Sequence, residues 1–247
     1  MKKLATIALS ALCVLGLASL GFAQQVPQLN EVVMNDVSID DSEFVEICGE
    51  PNADLSAFTV IVIEGEGTGM GLIDRAFGLT GLIGASGFYT LGDAAVTCAD
   101  QTKTSTIENG GETILLVRDF TGAVGQDIDA DDDGVADGPF PGMIVDGVGF
   151  AKPSSGDATY YGVPTLGPDT GDDGMQDFDV AGAARCEDCT GGWGMICLAG
   201  TEGAAVCDTN SPFNPYNVTN ATPCGANACP PISVESTSWG LIKGSYR

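Results

Sequence analysis

Residues 58–63, Phe-Thr-Val-Ile-Val-Ile, are almost continuous β-branched side chain, and this run constrains the fold more than any other feature. β-branched residues lose rotamer freedom in a helix and suit a pleated surface. A run this apolar and this short, stopped at once by Gly65-Glu66-Gly67-Thr68-Gly69, predicts a strand covered on both faces. Runs of similar character recur between turn-forming residues at 29–34, 43–48, 88–91, 112–117 and 143–150, and no long helical periodicity interrupts them. Short strands joined by Gly-rich turns predict an all-β chain, folded as a sandwich or barrel. From residue 153 to 231 the chain turns to Gly, Asp, Asn, Pro and Cys, which predicts long loops and edge strands tied by disulfides.

The N-terminus predicts export. Lys2 and Lys3 precede an uncharged apolar run, and Gly21-Phe22-Ala23 offers small residues for cleavage, so residues 1–23 read as a signal peptide. Cys13 lies inside that run behind Leu12, which is too large for a lipoprotein box, and it leaves with the signal. No other segment is apolar enough to cross a bilayer, so the mature chain carries no expected transmembrane segment. Eight cysteines remain, an even number that reads as disulfides in an exported chain. The expected pairs are Cys48 with Cys98 and Cys224 with Cys229. A four-thiolate zinc site from Cys186, Cys189, Cys224 and Cys229 fits neither compartment nor acidic context.

Taking Lys2 and Lys3 from the 9 basic residues leaves 7 against 34 acidic ones, a formal charge of −27. Such a field repels nucleic-acid phosphates and anionic lipid. Cations, basic surfaces and neutral polymers such as glycans are the partners it admits. The chain has no histidine, which removes Ser-His-Asp hydrolases, histidine-dependent nucleases and most catalytic zinc sites. No G-x-S-x-G elbow occurs, and the glycines at 65, 67, 69 and 71 do not make a dinucleotide loop. A glycosidase needs only two carboxylates, but Trp193 and Trp239 are the only tryptophans available to stack on sugars.

Several segments together carry a resemblance. Leu29-Asn30-Glu31-Val32-Val33 is followed by Glu43-Phe44-Val45-Glu46-Ile47 and then Asp54-Leu55-Ser56-Ala57-Phe58. Gly87-Phe88-Tyr89-Thr90-Leu91-Gly92-Asp93, Asn109-Gly110-Gly111-Glu112-Thr113-Ile114-Leu115-Leu116, Val145-Asp146-Gly147-Val148-Gly149-Phe150 and residues 220–227 follow in order. The set resembles the lamin-tail domain, with its "I-N-E-V", "E-F-V-E-L", "D-L-S-G-W", "L-G-D", "N-G-G-D" and "T-P-G-A-x-N" blocks. Ala57 and Phe58 stand where Gly and Trp are usual, and an acidic insertion precedes Met143. The resemblance implies an immunoglobulin-like β-sandwich over residues 26–228, used as a binding or adhesion module, with no catalytic residues to carry over. Locally, Glu43 and Glu46 around Phe44 and Val45 predict a strand with one wet and one dry face. Asp54 or Ser56 is expected to bond the backbone of its own turn, and Asn109-Gly110-Gly111 to supply positive φ for a tight turn.

The one constellation with chemistry lies in residues 127–137. Asp129, Asp131, Asp133, Gly134 and Asp137 follow the D-x-D-x-D-G rhythm of calcium loops, and Asp127 precedes them. Alternate residues of a curling loop converge on one hard cation, and Gly134 permits the turn. Asp127, Asp129, Asp131, Asp133 and Asp137 are therefore the candidate ligands of a structural Ca2+, against the plainer reading of a solvated acidic hairpin tip. Pro139 and Pro141 follow closely, which speaks against an EF-hand. Residues 169–179 echo the pattern loosely and are a candidate second site. The tail, residues 229–247, resembles the "T-W-G-x-I-K-x-x-Y-R" endings of secreted bacterial proteins, segments of the sorting or anchoring kind; a last docked strand is the alternative. The expected function is a secreted, non-catalytic module that binds protein or glycan at the cell surface or matrix. The alternatives are a structural envelope or matrix component recognised through its tail and, less favoured, a carboxylate-dependent hydrolase.

Overall fold

The computed structural model describes residues 25–34, 41–152, 156–167, 180–196, 217–218 and 221–227. The signal segment, the acidic stretch 169–179 and the tail lie outside the described residues. Twelve strands are present among the described residues: β1 Gln28–Val33, β2 Phe44–Cys48, β3 Phe58–Glu64, β4 Ile73–Gly78, β5 Phe88–Gly92, β6 Gln101–Thr102, β7 Glu112–Arg118, β8 Met143–Phe150, β9 Thr165–Leu166, β10 Gly182–Arg185, β11 Trp193–Ile196 and β12 Asn217–Val218. They form a seven-stranded sheet in the order β12-β11-β10-β1-β2-β5-β6 and a five-stranded sheet in the order β4-β3-β7-β8-β9. The two sheets pack as the expected all-β, immunoglobulin-like sandwich.

Alternation along the strands builds two layers of core. Val32, Val45, Ile47 and Leu91 of the larger sheet meet Val60, Val62, Ile114, Leu116, Val148 and Phe150 of the smaller one. The intervening residues of β3 and β7, Ile61, Ile63, Leu115 and Val117, face the other way into a second cluster with Ile128, Phe140 and Tyr160. The prediction that residues 58–63 are covered on both faces therefore holds, and Ile128 of the acidic loop shares the outer cover with Phe140 and Tyr160. The sheets are tied by Arg185 of β10. It holds both carboxylate oxygens of Asp146 on β8 at 2.9 Å and lies 4.4 Å over the Trp193 ring.

The wet face expected for β2 does not exist. Glu43 and Glu46 are fully buried, and every residue of the strand is buried with them. Glu43 pairs with the ammonium of Lys103 at 2.6 Å, and Lys103 also reaches Asp93 at 2.7 Å. Glu46 accepts from Asn30 Nδ2, Thr90 Oγ1 and the Gly225 amide. Beside it, Glu31 accepts from the amide and hydroxyl of Thr222. Residues 221–227 thus lie over the outer face of the larger sheet, and Asn227 secures them by donating to the Asn30 and Arg185 carbonyls. A strand reads as half-wet from its own alternation only while nothing later in the chain covers it.

The expected disulfides are also overturned. Cys48 bonds Cys189, with Cα atoms 5.6 Å apart, and Cys98 bonds Cys224, at 6.2 Å. Cys48 stands opposite Phe88 at one end of β5, whereas Cys98 follows Gly92, which stands opposite Phe44 at the other end. Strand length, at roughly 3.3 Å per residue, separates the two thiols that had been paired. Cys224 is delivered to Cys98 by the segment that covers Glu31 and Glu46. Cys186 is disulfide-bonded as well. Disulfides of this kind fit an oxidising, extracellular environment. Among the described residues no helix is long and apolar enough to cross a membrane.

Two turn expectations divide. The Asp54 carboxylate accepts from the Ser56 amide at 2.9 Å, as expected, and that bond lowers its pKa. Gly110 and Gly111, however, have no positive φ. At Gly111 the neighbour presses close; at Gly110 the near atoms are the movable end of a side chain. A Cβ on Gly110 would stand 2.8 Å from the Glu66 carboxylate, and one on Gly111 2.9 Å from Asp157.

Candidate metal centre

The acidic loop is anchored before it is charged. Gln126 and Gly125 exchange backbone hydrogen bonds with Ile73, and the Ile128 amide donates to the Gly71 carbonyl, so the loop continues the β4 edge. Ile128 and Phe140 then sit on the outer face of the five-stranded sheet, with Phe140 stacked 5.8 Å from Phe120 and edge-on to Tyr161 at 5.2 Å. Apolar burial fixes both ends of residues 127–137, and the carboxylates are arranged between them.

Asp129 is fully buried at the centre of this loop. One of its carboxylate oxygens accepts from the Gly134 amide at 2.8 Å and from the Tyr160 hydroxyl at 2.9 Å; the other accepts from the Asp133 amide at 3.2 Å. Tyr160 is held protonated, first by burial and then by this bond to Asp129. Gly134, at φ +81°, and Asp132, at φ +52°, take the left-handed conformations that curl the chain around Asp129.

Of the five candidate ligands, three come together. Asp129, Asp131 and Asp133 each offer a carboxylate oxygen within 4.8 Å of the others. Asp127 accepts the Asp129 amide at 2.9 Å, and Asp137 accepts the Ala130 amide at 2.9 Å, so these two brace the backbone of the loop. Asp133 also accepts from the Val135 amide. Asp131 is exposed, and its pKa is raised above the ordinary carboxylate value chiefly by the charge of Asp133. The donor set is all oxygen, irregular and anionic, which suits calcium better than the strict octahedron of magnesium.

A second group of acids escaped the reading of the sequence. Glu64 at the end of β3 and Glu112 at the start of β7 are cross-strand partners, and Glu108 joins them from the segment before β7, their oxygens also within 4.8 Å of one another. The available signal was positional. Glu112 occupies the alternation phase of Ile114 and Leu116, which face the core. A Glu in that phase is a charge placed where the pattern calls for an apolar side chain.

No family model, curated protein or solved structure matches the chain.

Proposed function

We propose that the protein is a secreted, non-catalytic binding or adhesion module of the lamin-tail type, whose loop at residues 127–137 is stiffened by a calcium ion. The observation that carries the calcium reading is the convergence of the Asp129, Asp131 and Asp133 carboxylates on a loop already pinned to the sheet. Three like charges at this spacing repel unless a cation lies among them. The family reading is supported by what the quoted segments do. Glu31 and Glu46 hold the covering segment through Thr222 and Gly225, and Asp146 ties the two sheets through Leu29 and Arg185, so four separate blocks all serve the scaffold. Such blocks describe a scaffold, and the absence of histidine removes the hydrolase classes that depend on that residue. The partner in this reading is a protein or glycan at the cell surface or matrix, met at the loop edge of the five-stranded sheet.

Calorimetric titration of the chelator-stripped protein with calcium tests the reading. A saturable calcium equivalent in the wild type that is lost in Asp131→Ala and in Asp133→Ala, whatever calcium the rest of the chain still takes up, supports it. Absence of specific heat at millimolar calcium returns the loop to a solvated acidic tip and moves the search for a recognition element to the tail.

A further inference from the structure

Glu112 is fully buried, and neither of its carboxylate oxygens has a hydrogen-bond partner. The second group of acids is built around it. Glu64 and Glu108 bring oxygens within 4.8 Å of one another and of Glu112. Asp74, at the irregular start of β4, adds another buried carboxylate oxygen without a partner. Glu66 stands behind, its backbone amide donating to Glu64 at 3.1 Å and its carboxylate accepting from the Gly111 amide at 3.3 Å. The nearby cation, Arg75, is turned to the other Asp74 oxygen and to the Thr106 carbonyl. Burial first, and then the charges of Glu64, Asp74, Glu108 and Glu66, push Glu112 up to about 10.

Protonation removes the charge on Glu112 but leaves its hydroxyl and carbonyl oxygen unbonded in the interior, where unmade hydrogen bonds are costly. A cation satisfies both oxygens and the repulsion together. The burial gradient gives it a route, from exposed Glu108 through half-buried Glu64 to Glu112. We propose that Glu64, Glu108 and Glu112 form a second cation site, separate from the Asp129 loop and taking a hard divalent ion, calcium in preference to magnesium. The site lies where β3 ends and β7 begins, beneath the segment leading into β7. The turn between β3 and β4 separates it from the loop: Gly69 lies against the Glu64 side chain, and Gly71 lies against Asp129.

The test is calcium titration of the chelator-stripped protein, read by calorimetry for stoichiometry and affinity, with Glu112→Gln and Glu108→Gln made in the wild type and in an Asp131→Ala/Asp133→Ala background. Retention of a saturable calcium equivalent in that background, weakened at least tenfold by either Glu substitution, is the expected result. Glu108 is exposed, so Glu108→Gln carries the test if Glu112→Gln fails to fold. Affinity and stoichiometry unchanged by Glu108→Gln and by any folded Glu112→Gln overturn the proposal, as does a background variant that takes up no calcium. Glu112 is then a buried, protonated acid and nothing more.

Discussion

Glu31 and Glu46 stand directly opposite each other on β1 and β2, both fully buried beneath residues 221–227. Burial, set against the bonds each receives, raises Glu31 to about 7 and Glu46 to about 8, with the charge of Glu31 a further cause for Glu46. Two acids side by side in the interior are tolerated because the segment above them supplies donors from Thr222 and Gly225.

The pair predicts a pH dependence. A carboxyl whose pKa is raised by folding keeps a proton that the unfolded chain has released, so it costs the fold nothing below the unfolded value near 4.5. The cost grows as pH rises through the window up to about 8. In chelator, these two acids are expected to make the protein several kcal/mol more stable near pH 5 than at pH 8.5, at about 1.4 kcal/mol for each unit of displacement. Glu64 and Glu112, also raised by burial, add to the slope in the same direction. Glu46→Gln removes the charge and should flatten the slope. Denaturant unfolding at a series of pH values reads both, and a slope the substitution leaves unchanged defeats the assignment.

The disulfide between Cys98 and Cys224 holds the covering segment in place. Replacing both cysteines with alanine is expected to cost about 3–5 kcal/mol through the long loop it closes. It should also admit water to Glu31 and Glu46. Loss of stability together with a weaker pH slope distinguishes this role from simple cross-linking, which would lower stability and leave the slope intact.

Lys103 is buried between Glu43 and Asp93. Lys103→Ala leaves two carboxylates without their cation, and breaking a buried pair in this way costs about 3–5 kcal/mol. Lys103→Ala combined with Glu43→Gln should recover part of that loss. A double variant no better than the single one would show that Lys103 matters through packing of its stem.

Tyr160→Phe removes one bond to the Asp129 carboxylate and nothing else of comparable size. A loss of about 1.5–3 kcal/mol is expected in chelator, as for hydrogen bonds to a charged group. Hydrogen exchange should rise at the Gly134 and Asp133 amides, which share the same carboxylate. Unchanged exchange there would mean that the loop holds Asp129 without the tyrosine.

The local readings succeeded where the cause is local. All six runs anticipated as strands are strands, because β-branched content and alternation act within a few residues. The turn at Asp54 was legible for the same reason. Strand β4 was not anticipated: its Asp-Arg-Ala-Phe is half-buried at a sheet edge and carries no clean alternation. Edge strands were expected somewhere in the glycine- and cysteine-rich stretch, but their places were not legible: β10 enters the sheet by pairing with β1, and β11 by pairing with β10.

What the sequence determined alone is the class of the fold and the acid spacing of the loop at 127–137, since both follow from side chains close together in the chain. Only the tertiary structure decided which acids are buried and which cysteines meet. Glu46 is covered by a segment nearly 180 residues away, its bond to Gly225 spanning 179 positions. The phase of Glu112 in β7 marks it as out of place among apolar residues, but that Glu64, Asp74 and Glu108 close around it is decided by the fold. Burial and proximity belong to the whole chain. The charge state of an acid and the partner of a thiol depend on both, so neither can be read from the residues beside them.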